Sequence, residues 1–434
     1  MPHPNHAHSG SATWRKIEWI GSALALFLMS GALFPLLLAQ DGALDEGERS
    51  QLRQLGVVGY LIVLPLLLRH PSQFLAAAMR NIPMLLLIGL SLLSITWSIA
   101  PTFSLRRSIA LMMSMLLAYV LATRFSPRQQ MLLIAGVLGL SVGLSLLMAG
   151  AVPRLAFMPD ETGLRGIFVH KNVMGWISAI SVMVGIALAQ DLSRGLRRVG
   201  WGLAATGFAC VLLSESATSL LASVLAILLT PIYRMIAKSR GVGRIVLNLI
   251  LLQFAAMLAF FLYEYLLPLL NSLGKDATLT GRVPLWHQVD PEIARHPFIG
   301  YGYGAFWSEA NLEAWRIWRE IAWKAPHAHN GYRDLLLSVG LLGAVVFAIV
   351  ILQALNRGLR LQATRPQEGW VWCSLMISLS LLLNLSESTI LMQNDLVWIL
   401  TSTAILSVSY RYPSVRPQRS RRQRLVQAGN SATA

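Results

Sequence analysis

The stretch LLLSVGLLGAVVFAIVILQAL, from Leu335 to Leu355, carries no charged residue. An α-helix needs about 20 apolar residues to cross the hydrocarbon layer of a bilayer, where only helices and closed barrels satisfy their backbone groups. The stretch therefore predicts a transmembrane helix. Further apolar runs predict the same structure at Trp19–Ala39, Leu55–Leu68, Ile82–Ile99, Ser108–Thr123, Met131–Ala151, Val173–Gln190, Val199–Leu213, Ala217–Tyr233, Ile245–Leu267, Trp370–Leu385 and Leu396–Tyr410.

The composition agrees with a membrane protein. Of the 434 residues, 55% are hydrophobic and 13% are charged, and the mean hydropathy is +0.57, whereas soluble globular domains contain about 25% charged residues. The predicted fold class is an all-α polytopic membrane protein with about 12 transmembrane helices. Because Leu55–Leu68 is short, a total of about 11 transmembrane helices remains open.

Cys210 and Cys373 lie in apolar runs, which predicts buried positions and gives no sign of a disulfide.

The distribution of charge predicts how the chain threads the membrane. The net charge of +16 would suggest a nucleic-acid partner in a soluble protein, but basic residues of inner-membrane proteins concentrate in cytoplasmic loops, so no nucleic acid is predicted. With both termini cytoplasmic, most arginine clusters fall inside. The predicted segments are a tail at 1–16, helices 1–9 at 17–267, a long extracytoplasmic loop at 268–333, helices 10–12 at 334–410 and a basic tail at 411–434.

The interval 268–333 is the longest polar part of the chain. Within it, Gln288–Arg295 and Glu309–Lys324 have the pattern of short amphipathic helices, and the alternating glycines between Gly300 and Gly304 favour a tight turn. Tryptophans crowd one side of the second helix. They either lie at the membrane interface, where tryptophan collects, or form a platform for the apolar faces of sugar rings.

Three polar elements are predicted to meet on one face of the membrane. They are Gly163 to Asn172, Leu279 to Arg282, and His327 to Gly331. Arginine forks match phosphate oxygens, and a histidine with an unperturbed pKa of about 6.5 can take a proton from a hydroxyl group at neutral pH. This mixture of side chains suits a diphosphate-bearing lipid and a sugar acceptor.

Each of these elements also has a structural interpretation. Arg165 and Lys171 could extend to lipid headgroups, and His329 could be a loop or capping residue. His327 and His329 could bind a metal ion, but no carboxylate or cysteine stands at a ligand-like spacing beside them. No metal or other cofactor is therefore predicted.

Four short motifs follow one another along the chain. They are Arg165-Gly166-x-Phe168-x-His170-Lys171-Asn172-x-x-Gly175; Leu279-Thr280-Gly281-Arg282 with Trp286; His296-Pro297-x-x-Gly300-x-Gly302; and His327-x-His329-Asn330-Gly331 ahead of Val339-Gly340-Leu341-x-Gly343. In this order they resemble the O-antigen ligase and exopolysaccharide polymerase superfamily, most of all the bacterial exopolysaccharide polymerases. The resemblance covers roughly Arg106 to Glu387, although this chain has Ala217 where many members carry a basic residue.

The resemblance implies a metal-independent glycosyl transfer outside the bacterial inner membrane, from an undecaprenyl-diphosphate-linked oligosaccharide to an acceptor glycan or to lipid A-core. Arg165 and Arg282 are expected to hold the diphosphate, and His329 to act as the base. Two acidic residues at span ends could bind substrate or pair with those arginines. The residues expected to bind donor or acceptor are Lys171, His170, Asn172, His327, Asn330, Glu387 and Glu215.

Alternatives to a polymerase remain open at this point. A ligase would transfer the finished glycan to the lipopolysaccharide core, and the motifs around Arg282 and His329 favour a polymerase over it. A transporter for the same lipid is the second class, but transporters tend to show internal repeats and paired charges near the membrane midplane. Here the apolar runs are almost free of charge. Membrane lipids are expected partners, and the resemblance leaves open a flippase and a chain-length regulator.

Overall fold

The computed structural model describes residues 12–33, 46–159, 162–239 and 282–412, with side chains from residue 57 onward in the second range. In these ranges the regular secondary structure is helical, apart from one isolated β-bridge between Phe157 and Leu164. The prediction of an all-α protein with membrane-spanning helices is confirmed for this part of the chain. The predicted span Ile245–Leu267, the segment Leu279–Gly281 and most of both tails lie outside the described residues.

The helices of the described ranges are numbered here in chain order. They are α1 (Ala12–Met29), α2 (Glu46–Leu68), α3 (Pro71–Met79), α4 (Ile82–Leu93), α5 (Pro101–Arg124), α6 (Pro127–Ala151), α7 (Pro153–Ala156), α8 (Lys171–Leu188), α9 (Arg194–Leu213), α10 (Ala217–Lys238), α11 (Arg282–Arg295), α12 (Leu312–Glu320), α13 (Gly331–Thr364), α14 (Val371–Leu383) and α15 (Leu396–Arg411).

Six of these helices are long and apolar enough to cross a bilayer, namely α5, α6, α8, α9, α10 and α13. A seventh span would combine α2 with α3, which are bent by 95° at the break before Pro71; a proline disfavours helical backbone in the residue that precedes it. Helix α14 has 13 residues and is therefore only about 20 Å long, shorter than a hydrocarbon layer of about 30 Å. The prediction of twelve spans is not confirmed.

Helix α8 is held tightly against α9 by glycines. A Cβ atom added at Gly200 would lie 2.4 Å from the backbone nitrogen of Ala189, and one added at Gly185 would lie 2.6 Å from the nitrogen of Ala204. Small residues allow helix backbones to approach closely in membranes. This packing fixes the turn after α9 beside the first residues of α8, which both belong to the site described below.

A break in α13 joins the polar segment 282–330 to the helical bundle. Gly340 has φ 63° and ψ −163°, a backbone conformation that is essentially restricted to glycine. At this break the backbone nitrogens of Leu341 and Leu342 donate to the carbonyls of Pro297 and Phe298 at 2.8 and 3.0 Å. The glycine-rich turn that follows Phe298 is thereby attached to α13.

We expect Gly340→Ala to destabilise the protein by about 3 kcal/mol or more, because the new Cβ combines a strained backbone with a steric clash. The Cβ would lie 2.3 Å from the carbonyl carbon of Phe298. Gly136→Ala in α6 is the matched control, since nothing lies within 4 Å of its Cβ. The thermal midpoint of the purified protein in detergent is the measurement, and equal midpoints for the two variants would contradict the assigned kink.

The segment 282–330 has a small hydrophobic core of its own. Its helices are Arg282–Arg295 and Leu312–Glu320, the first longer and the second shorter than the sequence pattern suggests. Trp318 is 5% exposed and donates its indole N–H to the carbonyl of Ala325 at 2.8 Å, so it is a core residue and offers little surface to a membrane or a sugar. The buried members of this core are Leu285, Val289, Tyr301, Phe306, Ala314, Ile317, Trp318, Ala325 and Ala328, together with Leu337 of α13.

Candidate functional site

Glu387 lies at the centre of the candidate site, in the turn that follows α14. Glu387 is 4% exposed, and its Oε1 accepts a hydrogen bond from Nη2 of Arg282 at 2.8 Å. Its other oxygen, Oε2, lies 3.7 Å from Nδ1 of His329. One carboxylate therefore stands between the guanidinium and the imidazole that the sequence singled out, although these residues are far apart in the chain.

The turn that carries Glu387 is shaped by Asn384. Its side-chain oxygen accepts hydrogen bonds from the backbone nitrogens of Thr389 and Ile390 at 2.8 and 3.1 Å. The same oxygen would lie 1.9 Å from a Cβ atom added at Gly331. Because residue 331 is a glycine, the start of α13 can approach the turn after α14. The backbone nitrogen of Gly331 donates to the carbonyls of Asn384 and Glu387 at 2.9 and 2.8 Å.

Asn330, the next residue in the chain, holds the loop that carries His329. Asn330 is the N-cap of α13, and its side chain accepts from the nitrogens of Tyr332 and Arg333 and donates to the carbonyl of Leu385. These contacts occupy both ends of the Asn330 amide, so its observed role is to hold the loop. His329 itself has φ 49°, in the left-handed region that few residues other than glycine adopt without support. Such backbone strain is frequent at functional sites.

Asp334 is a residue of the site that the sequence reasoning missed. Its Oδ1 accepts from Nε1 of Trp307 at 2.8 Å, and its carboxylate also accepts from the nitrogen of Ala328 and the hydroxyl group of Ser388. It therefore ties the histidine loop to the turn that carries Glu387. An acidic residue in the first turn of a long apolar helix is costly unless it has such partners, which is the sequence signal that could have revealed it.

His327 serves as a neutral neighbour of His329. Burial, together with the smaller effect of positive charge on nearby groups, lowers the pKa of His327 to about 3, so it is uncharged at neutral pH. Its Nδ1 accepts the backbone N–H of His329 at 3.2 Å, and the two rings lie 4.1 Å apart. Within the described residues, the Nδ1 atom of His329 is buried and makes no hydrogen bond. A shift of less than about 1 Å toward Glu387 would complete one.

Arg165 lies in a second group of predicted residues. It is 2% exposed, and its Nε donates to the carbonyl of Leu155 at 3.0 Å. Burial lowers the pKa of its guanidinium, which nevertheless stays charged because an arginine is not deprotonated in proteins. The pairing of an acidic residue with a predicted arginine is thus observed for Arg282 with Glu387, whereas the side-chain hydrogen bond of Arg165 goes to a backbone carbonyl.

The remaining predicted residues surround the start of α8. His170 is the N-cap of that helix, and its Nδ1 accepts from the nitrogen of Asn172 at 3.1 Å. Lys171 packs beside Gly163. A Cβ atom added at Gly163 would lie 2.4 Å from Cδ of Lys171 and 3.0 Å from the carbonyl oxygen of Ser214. Glu215 has φ 55° and accepts a hydrogen bond from the hydroxyl group of Thr162 at 2.7 Å.

The two groups are neighbours. The hydroxyl groups of Thr218, at the start of α10, and Ser386, beside Glu387, form a hydrogen bond of 2.9 Å. The backbone nitrogen of Leu164 donates to the carbonyl of Leu213 at 2.7 Å, just before the turn that leads into α10. One surface therefore carries both groups. We call this surface, with the N-termini of α8, α10 and α13 and the turn after α14, the site end of the bundle.

The described side chains include no group of three or more His, Cys, Asp or Glu residues that could share a metal ion. What the arrangement offers is a carboxylate that can orient an imidazole, and two largely buried guanidinium groups. Oriented imidazoles take protons from attacking hydroxyl groups, and fixed cations stabilise charge that develops on phosphate oxygens.

Two comparisons with known proteins show what this chain is similar to. Residues 202–348 match the family model described as O-antigen ligase, a range that contains Arg282 and His329. The chain is also 29% identical, over 274 residues, to the exopolysaccharide production protein ExoQ of Rhizobium meliloti (strain 1021). That match covers 60% of this chain and 61% of the relative, so less than two thirds of the relative's length is spanned. The matches confirm the resemblance of this chain to the O-antigen ligase and polymerase superfamily.

Proposed function

We propose that this protein is a glycosyltransferase of the bacterial inner membrane that polymerises undecaprenyl-diphosphate-linked oligosaccharide repeat units on the periplasmic side. The observation that carries the proposal is the bridge formed by Glu387, which binds Arg282 at 2.8 Å and faces His329 at 3.7 Å. The family match supports the class of reaction. The name of the relative, an exopolysaccharide production protein, favours exopolysaccharide or O-antigen as the product.

The chemistry assigned to the site is a single displacement. An acceptor hydroxyl oxygen attacks the anomeric carbon of the donor, and the bond from that carbon to the diphosphate oxygen breaks, with its electron pair leaving on the diphosphate. His329 takes the hydroxyl proton on Nε2, while Glu387 accepts from its Nδ1 and stabilises the imidazolium. Arg282 and Arg165 stabilise the charge on the departing diphosphate, with Lys171 in support, and no step requires a metal ion.

The periplasmic side is proposed from the charge pattern of the sequence. Basic residues concentrate at the end of the bundle opposite the site, where Arg128 binds Asp191 and where Arg234 and Lys238 line a cavity. Such residues are typical of the cytoplasmic face. The site end would then face the periplasm, where lipid-linked repeat units are available to it.

The alternative is an O-antigen ligase, which the description of the matching family favours. A ligase uses the same donor and differs in its acceptor, so the site described above would serve both reactions. We expect deletion of the gene to abolish long polymer while single repeat units still reach their lipid acceptor. Gel electrophoresis of the glycans tests this, and accumulation of long lipid-linked polymer would identify a ligase instead.

A further inference from the structure

A groove of about 1010 Å³ lies at the site end between the start of α5 and α12. Its charged lining consists of Arg106, Arg107 and Lys324 against one carboxylate, Glu309. Lys324 binds Glu309 directly, so the excess of positive charge in the groove comes from the two arginines. The aromatic rings of Phe103 and Trp307, which can pack against sugars, also line it.

Arg107 is the innermost of these cations. Its Cζ lies 4.9 Å from the ring centroid of Phe103. A Cβ atom added at Gly304 would lie 2.7 Å from both its Cδ and its Nη1, so a glycine makes room for the guanidinium. Among the residues that the structure describes, none forms a hydrogen bond or an ion pair with Arg107. Asp334 acts on Arg107 through the electrostatic field and without a hydrogen bond, so the guanidinium N–H groups keep donor capacity for an anionic group that enters the groove.

The position of Arg107 connects the groove to the catalytic cluster. Arg107 and Trp307 also line a small cavity of about 50 Å³ that includes His327 and Asp334. His327 in turn packs against His329. The carboxylate of Asp334 already accepts hydrogen bonds from three groups. Arg107 therefore lies between the groove and the polar cluster that contains His327 and Asp334.

Donor and acceptor must reach the cluster from different directions, because a nucleophile approaches the face of the sugar ring opposite the leaving group. Arg165, proposed to hold the diphosphate, lies in the loop that leads into α8, whereas Arg107 lies on α5 beside the glycine-rich turn. We infer that the groove binds the acceptor glycan and selects one that contains an acidic sugar, whose carboxylate is held by Arg107. This inference rests on the proposed glycosyl transfer for the identity of the ligand.

The test measures binding of two probes to the purified full-length protein in lipid nanodiscs, hexagalacturonate as an acidic glycan and cellohexaose as a neutral one. The wild type should bind the acidic probe at least about tenfold more tightly, and this preference should shrink as salt is added. Arg107→Gln should remove the preference. Arg319→Gln, which changes an exposed arginine of α12, should preserve it. Arg107→Lys is the second variant, for the case in which the glutamine variant does not fold. It keeps the charge and should keep part of the preference.

Equal affinity of the wild type for both probes, or an unchanged preference in a folded Arg107→Gln protein, would overturn the inference. Inorganic pyrophosphate is the third probe: if its binding depends on Arg107 and that of hexagalacturonate does not, Arg107 holds the diphosphate and the acceptor assignment is wrong. The binding experiment needs no turnover, so it tests the groove separately from the catalytic residues. A His329→Ala protein that still transfers glycan would contradict the proposed function, but it would not change the result of the binding experiment.

Discussion

His329→Ala is expected to abolish polymer formation while the amount of protein in the membrane stays close to that of the wild type. A positioned general base contributes roughly 10²–10⁴-fold to rate, and among the residues described no histidine other than His329, at 3.7 Å, forms an ion pair with Glu387. The polymer would be measured as ladder length on gels of extracted glycan, alongside an immunoblot of the membrane fraction.

Two further variants separate chemistry from folding. His329→Asn retains a residue type that tolerates the left-handed backbone at φ 49° but cannot accept the proton, so it should be as inactive as the alanine variant. His287→Ala removes an exposed histidine of α11 and should leave the ladder unchanged. A normal ladder from His329→Asn would show that this imidazole is not the base.

Arg282→Lys is expected to lower the transfer rate by roughly 10²–10³-fold, the loss typical when a group that stabilises a transition-state charge is removed. Lysine keeps the positive charge but cannot bind Glu387 and a phosphate oxygen with one planar fork. The control is Arg333→Lys in α13, since Arg333 forms an exposed ion pair with Asp290 of α11 through two hydrogen bonds. Initial rates with a fixed amount of purified protein provide the comparison.

Exchange of the charges of Arg282 and Glu387 distinguishes a structural role of Arg282 from a catalytic one. Removal of either partner alone leaves a buried charge unpaired, which is destabilising by about 3–5 kcal/mol, so Glu387→Ala should lower the protein level. The double variant Arg282→Glu with Glu387→Arg should restore part of that level but no activity. Recovery of both level and activity would mean that the pair only holds the fold together.

The sequence predicted which residues lie together at the site better than it predicted the number of spans around them. Arg282 and His329 were predicted from the phosphate-binding fork of arginine, the proton-accepting imidazole and the family resemblance. Glu387 was predicted because a carboxylate at the end of a span is costly unless it has a partner. The structure brings all three residues together. The number of spans was harder to predict. Hydropathy measures apolar length, whereas the number of spans also depends on the 95° bend before Pro71 and on the length of α14, which is only 13 residues.

Several roles within the site depend on contacts that no local pattern contains. Asn330 was expected to bind substrate, yet its amide caps α13 and reaches the carbonyl of Leu385, a residue distant in the chain. Arg107 resembled any basic residue at the start of a span until the fold placed it against Gly304. Contacts of this kind follow from the tertiary arrangement of the helices, which a single sequence does not encode in its periodicity.

A cryo-electron microscopy structure of the purified protein with a bound polyprenyl diphosphate would test the central claim most directly. The proposal predicts that the diphosphate lies at the site end, within about 3 Å of the guanidinium groups of Arg282 and Arg165, with Nε2 of His329 facing the position of the acceptor. A diphosphate bound instead at the opposite end, beside Arg128, Arg234 and Lys238, would contradict it.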